Sequence, residues 1–295
     1  MKVLVSGGTG LVGRYVVEGL LEAGYQVIVG GRTPPAENLF SKPVRFVPLS
    51  LDPDLDQIEA FDDAYFFVHA AFDHLPGKYR GGEGDDAAHF RRLNLDGTVK
   101  LFETARRAGT RRAVFLSSRA VYDGLPAGTA LTEDRVLKPD SLYGEIKLDG
   151  ERALAALSGP GLATASLRLT GVYGHLRPNK WDKLFADYLA GRPVPSRAGT
   201  EVHGDDVANA VRLMLETEAG KIDGQVFNVS DILTDTREIL GSLPFSPCEL
   251  PPAADRSAVN VMPTEELEAL GWQPGGLLLL QQTVRKLANS LPAAA

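Results

Sequence analysis

Cysteine is almost missing from this 295-residue chain: the single Cys248 excludes an internal disulfide. Set among prolines and apolar residues with no histidine close in sequence, it reads as a packing residue and not as an activated nucleophile. Long apolar runs are missing as well, since no segment approaches the ~18 residues that a membrane span needs. Met1 leads straight into strand-like residues without a basic and then apolar leader, so the expectation is a cytoplasmic chain with no membrane partner. An excess of positive charge is also absent. The 31 Lys and Arg against 38 Asp and Glu leave a net charge of -7, and the arginines cluster only as the pairs Arg91-Arg92, Arg106-Arg107 and Arg111-Arg112. Nucleic acid is therefore not an expected partner. The five histidines show no metal-ligand spacing, and no metal site is expected.

What is present is ordinary globular composition, 44% hydrophobic and 23% charged, in a chain long enough for one large α/β unit with a smaller appended region. Short apolar runs at residues 2–5, 26–29, 44–49, 64–69, 113–117, 164–169 and 225–229 predict strands buried on both faces. Helical patterns alternate with them at 12–23, 90–108, 143–157, 180–190 and 205–216, with Asn94, Gly97 and Thr98 interrupting the second without breaking its period. This alternation predicts βαβ units in a Rossmann-type, doubly wound parallel sheet. Beyond Thr170, prolines at 178, 193, 195, 244, 247, 251 and 252 cut the chain into short pieces around only two strand-like runs. The expected organisation is a dinucleotide-binding domain over 1–169 with returns at 205–230, and a smaller interleaved substrate-binding region from 170–204 and 231–295. The Ala-rich tail after Pro292 is expected to fray.

Immediately after the first strand comes Ser6-Gly7-Gly8-Thr9-Gly10-Leu11-Val12-Gly13, leading into an amphipathic helix, and Gly8, Gly10 and Gly13 satisfy the dinucleotide fingerprint. Glycine allows the tight turn and lets backbone amides approach a pyrophosphate, whose charge the helix N-terminus favours. Gly7, Gly10, Leu11, Val12 and Gly13 are therefore candidate cofactor contacts. The acid that would bond an NAD ribose at the end of the second strand is replaced by Gly30-Gly31-Arg32-Thr33. Arg32 suits a 2′-phosphate, which favours NADP(H) with NAD(H) as the alternative; the competing reading is a solvated loop arginine.

Tyr143 and Lys147 stand four apart, on one helix face, where an ammonium biases the phenol toward ionisation and makes it a usable base. Taken alone the pair fixes only two positions. The strand at 113–117 runs into Ser117-Ser118-Arg119-Ala120-Val121-Tyr122 at the carboxyl edge of the sheet, where ligands of open α/β folds bind.

Together these segments resemble the extended short-chain dehydrogenase/reductases, the NAD-dependent epimerase/dehydratase family. The resemblance extends through Val68-His69-Ala70-Ala71, Asn94-Leu95-Asp96-Gly97-Thr98, Pro139-Asp140-Ser141-Leu142-Tyr143-Gly144, Leu167-Arg168-Leu169-Thr170-Gly171-Val172-Tyr173-Gly174, Val202-His203-Gly204-Asp205-Asp206-Val207 and Phe227-Asn228-Val229. It implies Tyr143 as general acid and base, Lys147 as ligand of the nicotinamide ribose and tuner of Tyr143, and Ser118 as hydrogen-bond donor to the substrate oxygen. Ser118 fits better than Ser117 because it lies four residues before Tyr122; Ser117 is expected to line the cofactor. The same resemblance adds Ser50, Leu51, Ala70, Ala71 and Asn94 to the cofactor contacts. It adds Phe72, Arg119, Thr170 and Gly171 to a small-molecule substrate site, and it makes a homodimer through paired helices one expectation. His69 and His203 read as framework residues.

The sequence departs from the family's pattern in three places. Ser50-Leu51 stands where Asp-Leu usually contacts adenine. Gly171 replaces the asparagine of nucleotide-sugar members, and their diphosphate-binding arginine falls near Gly199, with Arg197 close by. The polar, glycine-rich stretch 72–88, carrying His74, Lys78 and Arg80, sits where a lid over substrate could form. The expected function is hydride transfer to or from a small carbonyl or hydroxyl compound. A sugar or nucleotide-sugar epimerase or dehydratase with tightly held cofactor is the second reading, and a non-catalytic NAD(P)-sensing protein the third.

Overall fold

Val3, Leu4 and Val5 are inaccessible to solvent on both sides of the first strand, which is possible only for a strand with neighbours on both edges and helices on both faces. The computed structural model, which describes residues 1–75, 82–245 and 248–289, supplies both. The strands are β1 (Lys2–Ser6), β2 (Gln26–Gly31), β3 (Arg45–Pro48), β4 (Phe66–His69), β5 (Arg112–Ser118), β6 (Ala163–Leu169), β7 (Gly171–Tyr173), β8 (Ala198–His203), β9 (Gln225–Val229) and β10 (Ile232–Asp235). Seven of them form one parallel sheet in the order β3-β2-β1-β4-β5-β6-β9. This is the doubly wound arrangement that the alternating pattern predicts.

Helices α1 (Leu11–Glu22), α2 (Ala87–Arg91), α3 (Gly97–Arg107), α4 (Leu142–Ala156), α5 (Asp182–Leu189) and α6 (Gly204–Glu216) connect the strands. One face of the sheet is closed by α1 against α6, with Val16, Val17, Leu20, Val207, Val211 and Met214 in its core. The other face is closed by α3 and α4 over Phe67, Leu101, Phe102 and Phe115. Each such side chain, once fully buried, contributes about 1.5–3 kcal/mol of hydrophobic stabilisation. Among the described residues no helix is long and apolar enough to cross a membrane.

The helical pattern at 90–108 resolves into α2, one π-helical turn at Arg92–Asp96, and α3. The interruption has a packing cause. A Cβ on Gly97 would collide with the carbonyl of Leu51, so only glycine lets α3 rest on the loop after β3, while Asn94 is turned inward and buried. Beyond Thr170 the chain holds four strands where two were expected. Strands β7, β8 and β10 build a second sheet in the order β10-β8-β7, and β9 joins the main one. That small sheet and α5 surround a third core containing Tyr173, Trp181, Phe185 and Tyr188. Tyr15 of α1 pins it to the main body by accepting the Leu176 N–H at 2.8 Å, and its ring fills the space left by Gly174 and Gly204.

Candidate active site

The turn after β1 is built from close backbone approaches. Gly7 has φ +68°, and a Cβ there would lie 2.6 Å from Cα of Ala71; a Cβ on Gly13 would lie 2.1 Å from the Gly7 carbonyl oxygen. Helix α1 starts after Gly10 with no side chain capping its first N–H groups and no acid in its first turn. Those N–H groups therefore keep their hydrogen-bonding capacity and the positive end of the helix dipole for an anion. They border a cleft of about 300 Å³ that gathers Gly7, Gly10, Leu11, Val12, Gly13, Arg32, Ser50, Leu51, Ala70, Ala71 and Phe72 from four separate loops. The shape suits a dinucleotide, because the cradle exists only while the glycines lack side chains. Thr9, Asp73 and Leu93 line the same cleft without having been singled out in the sequence, and His74, expected over the substrate, lines it as well.

Two of the expected cofactor residues work through the backbone. Gln57 clamps Ser50, accepting its N–H at 2.6 Å and donating to its carbonyl at 3.0 Å, while the Ser50 hydroxyl accepts the Asp52 N–H. Asn94 accepts the Asp73 N–H at 2.6 Å and donates to the Asp73 carbonyl at 2.8 Å, fixing the loop after β4. Arg32 is engaged in an ion pair with Asp73 at 2.9 Å. Of the stretch 72–88, read as a lid over substrate, residues 76–81, with Lys78 and Arg80, lie outside the described residues.

One glycine brings together the segments that carry the three expected catalytic residues. Ser141 caps α4 by accepting the Gly144 N–H at 3.2 Å, and a Cβ on Gly144 would lie 2.4 Å from the Ala120 carbonyl. The start of α4, with Tyr143, is thus pressed onto the turn that follows Ser118. Ser118 accepts the Ala120 N–H at 3.2 Å, which leaves its own proton for donation. One turn along α4, the buried ammonium of Lys147 donates to the Leu116 carbonyl at 2.9 Å. It lies 4.7 Å from the ring centres of both Phe72 and Phe115 and 5.9 Å from that of Tyr143. Burial pushes Lys147 from its usual 10.5 down to about 7, partly offset by Glu151. Phe72 meets Tyr143 edge-on with centroids 5.0 Å apart, and because Phe72 also lines the cleft, it joins the Tyr143 and Lys147 corner to the glycine turn.

Ser117 is placed differently from its expected role at the cofactor. Its hydroxyl donates to Glu151 in the interior, where Glu151 also holds Arg168, and it does not border the cleft. The physical reason is the alternation of β5: Ser118 and Ser117 point to opposite faces of the sheet. Arg168 in turn donates to the Tyr122 hydroxyl at 2.7 Å, and Tyr122 donates to Asn228 at 2.8 Å. His69 sits 2.6 Å from Ser6 Oγ and 2.9 Å from Thr98 Oγ1, and burial lowers its pKa to about 3, so it is neutral and structural.

On the substrate side, Arg119 donates to the Asn260 carbonyl at 3.2 Å, and Thr170 spends its hydroxyl on the Thr200 carbonyl at 2.9 Å. The space beside Gly171 is filled: a Cβ there would lie 2.8 Å from the carboxylate of Glu201. Glu201 pairs with Lys180, and burial raises its pKa against that partner's opposing pull. His175, His203 and Asp205 come within 4.8 Å of one another although their sequence spacing gave no hint of it. His203 Nδ1 accepts the Asp205 N–H at 3.1 Å as the cap of α6, and burial lowers its pKa to about 4.

Comparison with known proteins connects this geometry to a family. Residues 3–230 match the profile of the NAD dependent epimerase/dehydratase family. A UDP-glucose 4-epimerase of Mycolicibacterium smegmatis is 31% identical over 93% of this chain and 94% of its own length. A 3 beta-hydroxysteroid dehydrogenase/Delta 5-->4-isomerase of Mycobacterium tuberculosis is 30% identical over 78% of this chain and 65% of its own. Among solved structures, MoeE5 in complex with UDP-glucuronic acid and NAD superposes with a TM-score of 0.79 at 25% identity, covering 99% of this chain and 100% of that one. The Thermus thermophilus UDP-glucose 4-epimerase in complex with NAD gives 0.76, also at 25% identity and with the same coverage.

Proposed function

Because the chain belongs to the NAD dependent epimerase/dehydratase family, we propose that it transfers hydride, with NAD(H), to or from a carbonyl or hydroxyl carbon of a small polar substrate through Ser118, Tyr143 and Lys147. The observation that carries this reading is the position of Phe72. It lines the glycine-turn cleft and at the same time meets the Tyr143 ring and covers the Lys147 ammonium, which supports reading the two as neighbouring parts of one site. A bound nicotinamide supplies the hydride acceptor and donor. Tyr143 takes the hydroxyl proton or returns it, Ser118 donates a hydrogen bond to the same substrate oxygen, and Lys147 adds positive charge beside the phenol. The expected preference for NADP(H) gains nothing from these relatives. The MoeE5 and Thermus thermophilus structures hold NAD, and the guanidinium meant for a 2′-phosphate is paired with Asp73. The retained Tyr143 and Lys147 pair speaks against a purely sensing role.

A nucleotide-sugar epimerase is the second reading, favoured by relatives that match over almost the full chain. Glu201 counts against it, because it places a partly buried carboxylate beside Gly171, where the family resemblance puts the asparagine of nucleotide-sugar members. We also propose a homodimer through the outer surfaces of α3, the π-helical turn before it and α4, where Leu95, Val99 and Ala153 line a shallow groove. Light scattering reads that directly, and a monomer at micromolar concentration refutes it.

Denaturing freshly purified protein and identifying the released nucleotide by mass spectrometry tests the main proposal. Stoichiometric NAD(H) favours a reaction that regenerates its cofactor, as epimerisation does. An empty site that binds added NADH favours net redox turnover, and failure to bind any dinucleotide removes the proposal. Tyr143→Phe then separates chemistry from binding, with turnover lost and NADH affinity retained.

A further inference from the structure

Strands β2 and β4 both pair with β1, so their carboxyl ends face each other across the glycine turn. Strand β2 ends in Gly30-Gly31, without the acid that dinucleotide folds use there to hold a ribose hydroxyl. A carboxylate nevertheless lines this cleft, and it comes from the loop after β4. Asp73 Oδ1 meets Arg32 Nη1 at 2.9 Å across 41 residues of sequence, and both border the cleft.

The two partners are not equally fixed. The main chain of Asp73 is held at both polar groups by Asn94, which is 2% exposed and itself anchored to the Phe90 carbonyl at 3.0 Å. The Arg32 side chain is 79% exposed against 35% for Asp73, so the carboxylate is the placed group and the guanidinium folds onto it. An exposed pair of this kind adds less than about 1 kcal/mol to stability. Its consequence is therefore local: the single strong cation in this part of the cleft is neutralised where a 2′-phosphate would need it. His74 is the only other ionisable side chain lining the cleft among the described residues.

We propose that Asp73 is the cofactor-discriminating residue of this chain, supplying from the β4 loop the carboxylate that β2 lacks. Its carboxylate accepts the hydrogen bond of the adenosine ribose hydroxyl and opposes a 2′-phosphate, both by like charge and by occupying Arg32. This rests on the reading that the cleft holds a nicotinamide dinucleotide.

The test is a fluorescence titration of the full-length protein with NADH and, separately, NADPH. It is run for the wild type, Asp73→Asn, Asp73→Ser, Arg32→Ala and the double variant Asp73→Asn with Arg32→Ala, each checked for an unchanged melting profile. Wild type should prefer NADH. Either Asp73 substitution should tighten NADPH by about tenfold, the size of one released charge-assisted contact, and loosen NADH. The double variant should lose the NADPH gain, since Arg32 is the group released. A wild type that prefers NADPH, or Asp73 variants whose NADPH to NADH ratio stays within about twofold of wild type, overturns the proposal. A wild type that binds neither nucleotide overturns the dinucleotide reading itself, and with it this one.

Discussion

Arg168 and Glu151 form a forked ion pair at 2.8 Å whose two side chains are only 4% and 3% exposed. The pair ties β6 to α4, the helix that carries Tyr143 and Lys147, and Glu151 extends it to β5 by accepting the Ser117 hydroxyl. Two charges so deeply buried are tolerated because each satisfies the other and the remaining donors of Arg168 reach Tyr122 and the Glu133 carbonyl.

Removing one partner leaves the other charged in the interior. Glu151→Gln should therefore cost about 3–5 kcal/mol of folding free energy. Replacing both at once, Glu151→Leu with Arg168→Met, should cost less than the single change, because no uncompensated charge remains. Urea denaturation of the three proteins reads this, and a Glu151→Gln midpoint equal to wild type would show that the pair is not a structural tie.

Lys147 predicts a pH dependence with a definite sign. In the unfolded chain its proton is held up to the usual 10.5, whereas burial releases it near 7 in the folded protein. Between those values the unfolded state binds more protons, so unfolding free energy rises with pH over that window. The burial penalty is complete below pH 7 and fades as pH climbs toward 10.5. Lys147→Met carries no such penalty, so its stability advantage over wild type should be largest in mildly acid buffer and shrink through the alkaline range. Thermal melts of both proteins at several pH values give the comparison, and a gap that widens with pH contradicts the burial of a titrating amine.

The glycine turn separates two substitutions that sequence alone would treat alike. A Cβ on Gly13 would lie 2.1 Å from the Gly7 oxygen, a collision that no rotamer relieves, whereas a Cβ on Gly10 would lie 3.2 Å from the same atom. Gly13→Ala should push α1 off the turn and lower NADH affinity by more than about tenfold, with Gly10→Ala milder. Equal affinities for the two variants would mean that helix and turn do not need this contact to hold the dinucleotide.

How much of this was legible in the sequence follows from the distance over which each feature is encoded. The glycine turn, the Tyr143 and Lys147 pair and the buried strands are local patterns, and the parallel, doubly wound sheet follows from their alternation, whereas the strand order is set by pairings that only the structure shows. Strand β7 is three residues long and β10 four, too short to show a period, so the second sheet was not readable. Asp73 and Arg32 lie 41 residues apart and Lys180 and Glu201 lie 21 apart, so neither pairing is visible in the sequence, and Arg32 read singly suggested a 2′-phosphate. The inward turn of Ser117 was missed because its partner Glu151 lies 34 residues on, so the residue was assigned to the cofactor by its place at the strand end. The clamp of Asn94 on the Asp73 backbone is similarly invisible until the π-helical turn carries that side chain inward.

The substrate side yields the last prediction. Glu201 occupies the space next to Gly171, 30 residues away and opposite it in the small sheet, and its negative charge faces Lys180. A diphosphate brought beside Gly171 meets this carboxylate, while the ammonium that could offset the repulsion is already paired. Wild type should therefore bind UDP weakly. Glu201→Gln keeps the shape, removes the charge and frees Lys180, and UDP affinity should rise by about tenfold as one repulsive contact is replaced by an attractive one. Isothermal titration of both proteins with UDP makes the measurement. Tight binding by wild type would restore the nucleotide-sugar reading, whereas equally weak binding by both would mean that Glu201 does not face the substrate, and the choice of substrate would have to lie elsewhere in the cleft.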